Sequence, residues 1–141
     1  MQHADVADDL LAFIDASPTP YHAVQQAAAR LVPQGFTPVS APDPGPLPAK
    51  GVIIQGGSLV AWHVGPGGPH AGFRVVGAHT DSPNLRIKPR PDTAGAGFRQ
   101  LGVEPYGGLL ANTWLDRDLV LAGRVVVERD GILAEELVRL D

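Results

Sequence analysis

Two regimes of hydrophobic spacing divide the chain. Leu10, Leu11, Phe13 and Ile14 bunch on one side of a helical period, and Asp5, Asp8 and Asp9 load the preceding turns with the negative charge a helix N-terminus favours. Ser17-Pro18-Thr19-Pro20 breaks this first helix. Thr19 is a good N-cap and Pro20 a good first helical residue, so the pattern predicts a second helix from Pro20 to about Val32. Val24, Ala27, Ala28 and Leu31 supply its inward stripe, and Pro33 with Gly35 closes it.

Beyond Gly35 the period shortens. Pro42, Pro44, Pro46 and Pro48 alternate, which suits a surface loop in polyproline-like conformation and forbids a central strand. Apolar, β-branched runs bounded by glycines follow at Gly51–Gln55, Leu59–Val64, Phe73–Ala78, Leu85–Lys88 and Arg99–Val103, and each reads as a strand. Leu119–Val127 and Ile132–Leu140 flank Arg129-Asp130-Gly131, a strong hairpin signal. The expected architecture is α+β: two N-terminal helices, then a mixed β-sheet.

Composition narrows the class. The 141 residues suit one domain. The 17 glycines and 14 prolines are well above the ordinary share, yet a hydrophobic content of 44% leaves enough apolar surface to bury a core. A net charge of −4 without a lysine-rich block argues against a nucleic-acid surface. No apolar run approaches the roughly 20 residues that cross a bilayer. The N-terminus, MQHADVADD, is acidic where a signal peptide would be basic. The chain has no cysteine, which removes disulfides and thiolate metal sites and fits a cytoplasmic setting. Any metal here is held by histidine and carboxylates.

The segment richest in chemistry is Val75-Val76-Gly77-Ala78-His79-Thr80-Asp81-Ser82-Pro83. A strand with the look of a buried one delivers His79 at its end, and Asp81 follows two residues on, on the same face of an extended backbone. An imidazole beside a carboxylate can bind metal through one nitrogen while the other N–H is oriented by the acid. Alternatively, His79 is a strand-end histidine with a local hydrogen bond. The other histidines read as structural: His22 as a helix-surface or packing residue, His63 and His70 as solvated flanks of the Gly65–Pro69 turn, and His3 as part of a loose terminus. Asp116 and Asp118 are either oxygen ligands or, more simply, ion-pair partners of Arg117 beside Trp114. Arg86, Lys88 and Arg90 either meet an acidic substrate or form a solvated strand face. Glu135-Glu136 lies within an alternating strand and reads as strand surface, and Gly107-Gly108 lacks the helix and lysine of a phosphate loop.

Three ordered blocks resemble one family. Ala78-His79-Thr80-Asp81-Ser82-Pro83 with Leu85-Arg86-Ile87-Lys88-Pro89 resembles the first metal-site segment of the M18 metalloaminopeptidases, the aspartyl aminopeptidase family. Ser17-Pro18-Thr19-Pro20-Tyr21-His22-Ala23-Val24 is similar to its N-terminal helix signature. Gly102–Gly108, then Thr113-Trp114-Leu115-Asp116-Arg117-Asp118-Leu119 and Leu121–Val125, resemble its Tyr-Gly-Gly and Trp-x-Asp-Arg-Asp-Leu block.

The resemblance implies a zinc-dependent aminopeptidase that removes N-terminal, typically acidic, residues from peptide substrates. It implies two Zn2+ ions per complete active site, other divalent metals being possible, with His79 a metal ligand and Asp81 the catalytic carboxylate that orients it. The fold it implies is α/β, a central sheet between helices with a smaller inserted β-rich domain that builds a homo-oligomer. On that scheme residues 1–91 are the N-terminal part of the catalytic domain and 92–141 the start of the inserted dimerisation domain. The remaining ligands and the general base lie downstream in the family, so the chain is expected to be a truncated N-terminal portion, inactive alone. The competing reading is a non-catalytic binding or assembly module on the same scaffold. A continuing reading frame that encodes the missing Glu-Glu and His motifs would decide for the enzyme.

Overall fold

The computed structural model describes residues 3–41 and 45–140. Helix α1 spans His3–Asp15 and α2 spans Pro20–Leu31. His3 therefore opens a helix and is not part of a loose tail. Thr19 caps α2 as its sequence position predicts: its backbone is extended and its hydroxyl accepts from the His22 N–H. A short 3-10 turn, Val32–Gln34, ends at Gly35, whose φ of +86° suits glycine. Pro42 and Pro44 of the alternating run lie outside the described residues, while Pro46 and Pro48 sit in irregular backbone.

Among the described residues seven strands follow in three sheets: β1 (Thr37–Pro38), β2 (Lys50–Gln55) and β3 (Ser58–His63) in one, β4 (Asn84–Gly95) with β5 (Phe98–Tyr106), and β6 (Leu121–Arg129) with β7 (Ile132–Leu140). The first sheet is mixed, β1 running parallel to β2 and β3 antiparallel to it. The α+β class expected from the spacing is the class observed. Two compact units form, one from the residues up to Asp81 together with those from Val120 onward, the other from Ser82–Leu119.

In the first unit α2 packs on β2 and β3, and its inward stripe centres on Val24, buried like Val52 of β2. Gly51 stands opposite Trp62, whose indole covers it and donates to the Pro48 carbonyl at 2.8 Å. Helix α1 meets α2 through Arg30, which pairs with Asp9 at 2.7 Å and stacks over the Phe13 ring. Phe13 is thus half covered, but Leu10, Leu11 and Ile14 of the same apolar cluster stay exposed. The β6–β7 hairpin turns at Asp130-Gly131, both at positive φ, the geometry a two-residue primed turn requires. It reaches the helical corner through Arg139, which donates to the Asp15 carbonyl at 2.7 Å, and Arg124, which stacks on Tyr21.

In the second unit β4 and β5 pair antiparallel, with the register shifting between Ile87 and Asp92. Pro89 and Pro91 fall inside that shift, and because proline has no N–H to give the ladder, the backbone bulges past them.

One expected strand is absent. Residues 72–83 are irregular, and the run Phe73–Ala78 pairs with no strand among the described residues. Its apolar side chains are open to solvent, Val76 at 99%. Composition supplies the propensity for a strand, but only a neighbouring backbone completes one. His79 is accordingly delivered by an exposed loop and not by a buried strand end.

Candidate functional site

The loop after Gly77 turns His79 back on its own chain. Its Nδ1 lies 2.6 Å from the backbone carbonyl of Asp81 and 3.5 Å from the Asp81 Oδ1. A carbonyl only accepts, so the 2.6 Å contact puts the ring proton on Nδ1. The neutral imidazole then keeps its lone pair on Nε2, which has no hydrogen-bond partner among the described residues. The two side chains are 80% and 42% exposed, so this is an open surface and not a closed cavity. Residues two apart thus come together through a turn of the loop and not on the face of an extended strand, and the Asp81 carbonyl lies nearer the ring than its carboxylate does.

A histidine fixed through Nδ1 with Nε2 presented outward fits one nitrogen ligand position. A catalytic zinc takes three protein ligands and an open position. Among the described residues no three His, Asp or Glu side chains gather where they can hold one ion. This stretch therefore fits a single ligand with its orienter, and no complete centre.

The remaining candidates separate by environment. His22 is half-buried at the first turn of α2, its Nδ1 2.7 Å from the Thr19 Oγ1. Burial pushes its pKa below the ordinary 6.5, and the Arg139 guanidinium lowers it further. His63 ends β3 and His70 lies in the Gly68–Ala71 turn, both exposed. Glu135 and Glu136 are strand surface, held by cross-strand arginines: Arg124 at 2.9 Å and Arg129 at 2.6 Å. The expected ion pair of Arg117 with Asp116 or Asp118 does not form. Asp116 instead occupies a positive-φ position (53°), a conformation that aspartate tolerates better than most residues. Arg86 lies over the Tyr106 ring, 3.3 Å from its centroid, which gives that cation a packing role on β4. A shallow depression of about 340 Å³, lined by Ala28, Pro38, Val52 and Ile54 among others, holds no titratable group.

Thr80 carries a contact that spacing alone does not announce. Its hydroxyl donates to the Gly57 carbonyl in the β2–β3 turn at 2.7 Å. The two residues are far apart in sequence, and a threonine between a histidine and an aspartate gives no local sign of such a reach.

Comparison with solved structures gives the class first. A chain in the cryo-EM structure of the Ape4 and Nbr1 complex superposes with a TM-score of 0.84 at 41% identity, covering 96% of this chain and 27% of that one. The crystal structure of yeast aminopeptidase 1 gives 0.80 at 29% identity over 96% of this chain and 34% of its own. The S. cerevisiae mApe1 dodecamer gives 0.80 at 30% identity, with 96% and 33% covered. The class is that of the aminopeptidases. The family profile of the M18 peptidases, the aminopeptidase I zinc metalloproteases, matches residues 13–141, and the chain belongs to that family.

Relatives named probable M18 family aminopeptidase 2 agree. The protein from Streptomyces coelicolor is 58% identical over 126 residues, and that from Mycobacterium leprae 47% identical over 140. These matches take in 88% and 96% of this chain but 29% and 33% of the two relatives, so the chain spans about a third of their length.

Proposed function

We propose that this chain is the part of a zinc aminopeptidase that supplies one metal ligand, His79, through Nε2, with Asp81 orienting the ring. The observation that carries this reading is the Nδ1 contact to Asp81 in a chain of the M18 family. The substrate is a peptide, and by the resemblance already described its N-terminal residue is acidic. The complete site takes two zinc ions, and its remaining ligands and general base come from the two-thirds of the family length that this chain does not span. Bound zinc lowers the pKa of a coordinated water and polarises the scissile carbonyl. This chain's own contribution is to hold one nitrogen in place: the Asp81 carbonyl keeps the proton on Nδ1 and so leaves Nε2 basic. The complete protein is a cytoplasmic homo-oligomer. A dodecameric structural neighbour and the lack of cysteine support this, and no described helix is long and apolar enough to cross a membrane.

The test uses Asp- and Glu-p-nitroanilide with added zinc, manganese or cobalt. It compares the 141-residue chain with a chimera in which residues 13–141 replace the matching stretch of the Streptomyces coelicolor relative. The chain alone should give no turnover, and the chimera should give turnover that a chelator abolishes. Chelator-sensitive turnover by the chain alone would contradict the one-ligand assignment. A folded, inactive chimera would favour the assembly-module reading.

A further inference from the structure

The loop that carries His79 has no strand partner among the described residues, so something else must keep the imidazole in place. A metal-binding side chain is effective only when its support is locked to well within an ångström. His79 and Asp81 are occupied with each other, and Thr80 between them turns elsewhere. Its hydroxyl donates to the Gly57 carbonyl at 2.7 Å.

The far end of that bond is itself fixed. Gly57 lies in the turn of the β2–β3 hairpin, against the first turn of α2. A Cβ at Gly57 would stand 2.8 Å from the Pro20 Cβ, so only glycine allows this approach. Pro20 has a fixed φ and follows the Thr19 cap, which makes the start of α2 a stiff place to lean on. The contacts run from the capped N-terminus of α2, through Gly57 and Thr80, to the loop of His79.

We infer that Thr80 is a positioning residue: with Gly57 as its anchor, it ties the His79–Asp81 loop to the α2–β2–β3 core and so sets the orientation of the imidazole. This inference rests on the proposed role of His79, and it adds the hydroxyl that keeps the ring in its place.

The experiment uses the isotopically labelled chimera without metal, comparing Thr80→Val, Thr80→Ser and Gly57→Ala with the parent chimera. Nitrogen shifts of the His79 ring report the share of Nδ1–H tautomer, and backbone order parameters of 79–81 report the tether. Thr80→Val keeps the shape and removes the donor. It should lower the ratio of Nδ1–H to Nε2–H forms by roughly 2- to 10-fold, the range one net hydrogen bond commands. Order parameters should fall from the rigid range of about 0.85 toward the flexible range below about 0.6. Thr80→Ser restores the hydroxyl and should restore both signals, and Gly57→Ala should loosen the loop with Thr80 intact. Parent-like ring shifts and order parameters in Thr80→Val would overturn the inference. The metal role of His79 is read separately, from the metal content of His79→Ala in the chimera. Full metal there, alongside a loosened loop in Thr80→Val, would end the site reading and leave the tether standing.

Discussion

His22 shows how much one side chain's surroundings decide. Its Nδ1 faces the Thr19 hydroxyl, and Arg139 approaches from β7 while also bonding Asp15 at the end of α1. Arg124 from β6 lies over the neighbouring Tyr21. Burial first, and then the Arg139 charge, disfavour the imidazolium, so the folded pKa lies below the unfolded 6.5. The unfolded chain therefore binds the proton more readily, and stability rises with pH between the folded value and 6.5. The contribution is complete above 6.5 and is lost as pH falls through the folded value. Urea midpoints measured at about pH 7.5 and about pH 5 should show a larger drop in the parent than in His22→Gln. Equal drops would mean that His22 does not titrate against the fold. In the sequence His22 reads as a helix-surface or packing histidine, and its half-buried place at the start of α2 lies between the two. The approach of Arg139, 117 positions away in sequence, is not legible there, because no local pattern encodes it.

At the scale of elements, local signals worked wherever the chain pairs with itself nearby. The Thr19-Pro20 start of α2 and the Asp130-Gly131 turn are legible because cap and turn chemistry act over three or four residues. Gly131 at φ +77° should tolerate no side chain cheaply, so Gly131→Ala should cost about 1–2 kcal/mol, read as a lower unfolding midpoint. An unchanged midpoint would mean the hairpin does not depend on that turn. Two elements escaped the reading for opposite reasons. Thr37–Pro38 is too short and too proline-marked to announce itself, yet it pairs parallel to Gly51–Val52. Phe73–Ala78 has every mark of a strand and no partner among the described residues. The candidate site shares that split. The contact of His79 with Asp81 is local, and the metal role expected of it comes from the family resemblance and not from the spacing, whereas the Thr80 bond to Gly57 depends on a tertiary approach.

At the scale of the whole molecule, the apolar surface left open is large and ordered. Leu10, Leu11 and Ile14 on α1 and Phe73, Val75 and Val76 in the loop are exposed. The register of β6–β7 also sets Leu121, Val125, Ile132 and Leu140 on one face, all of them exposed. Such surface drives association. The 141-residue chain should sediment as oligomers or aggregate at micromolar concentration, and a monodisperse monomer would contradict this. Within the chimera those of these residues that lie in 13–141 should be covered. There the central claim, that His79 is a metal ligand oriented by Asp81, can be tested by elemental analysis of the parent chimera and four variants. His79→Ala should lose metal and nearly all activity, and Asp81→Asn should weaken either by about 10–100-fold. His22→Ala and His63→Ala should keep the parent's metal. A full metal complement and full activity in His79→Ala, with metal lost instead from His22→Ala or His63→Ala, would contradict the account.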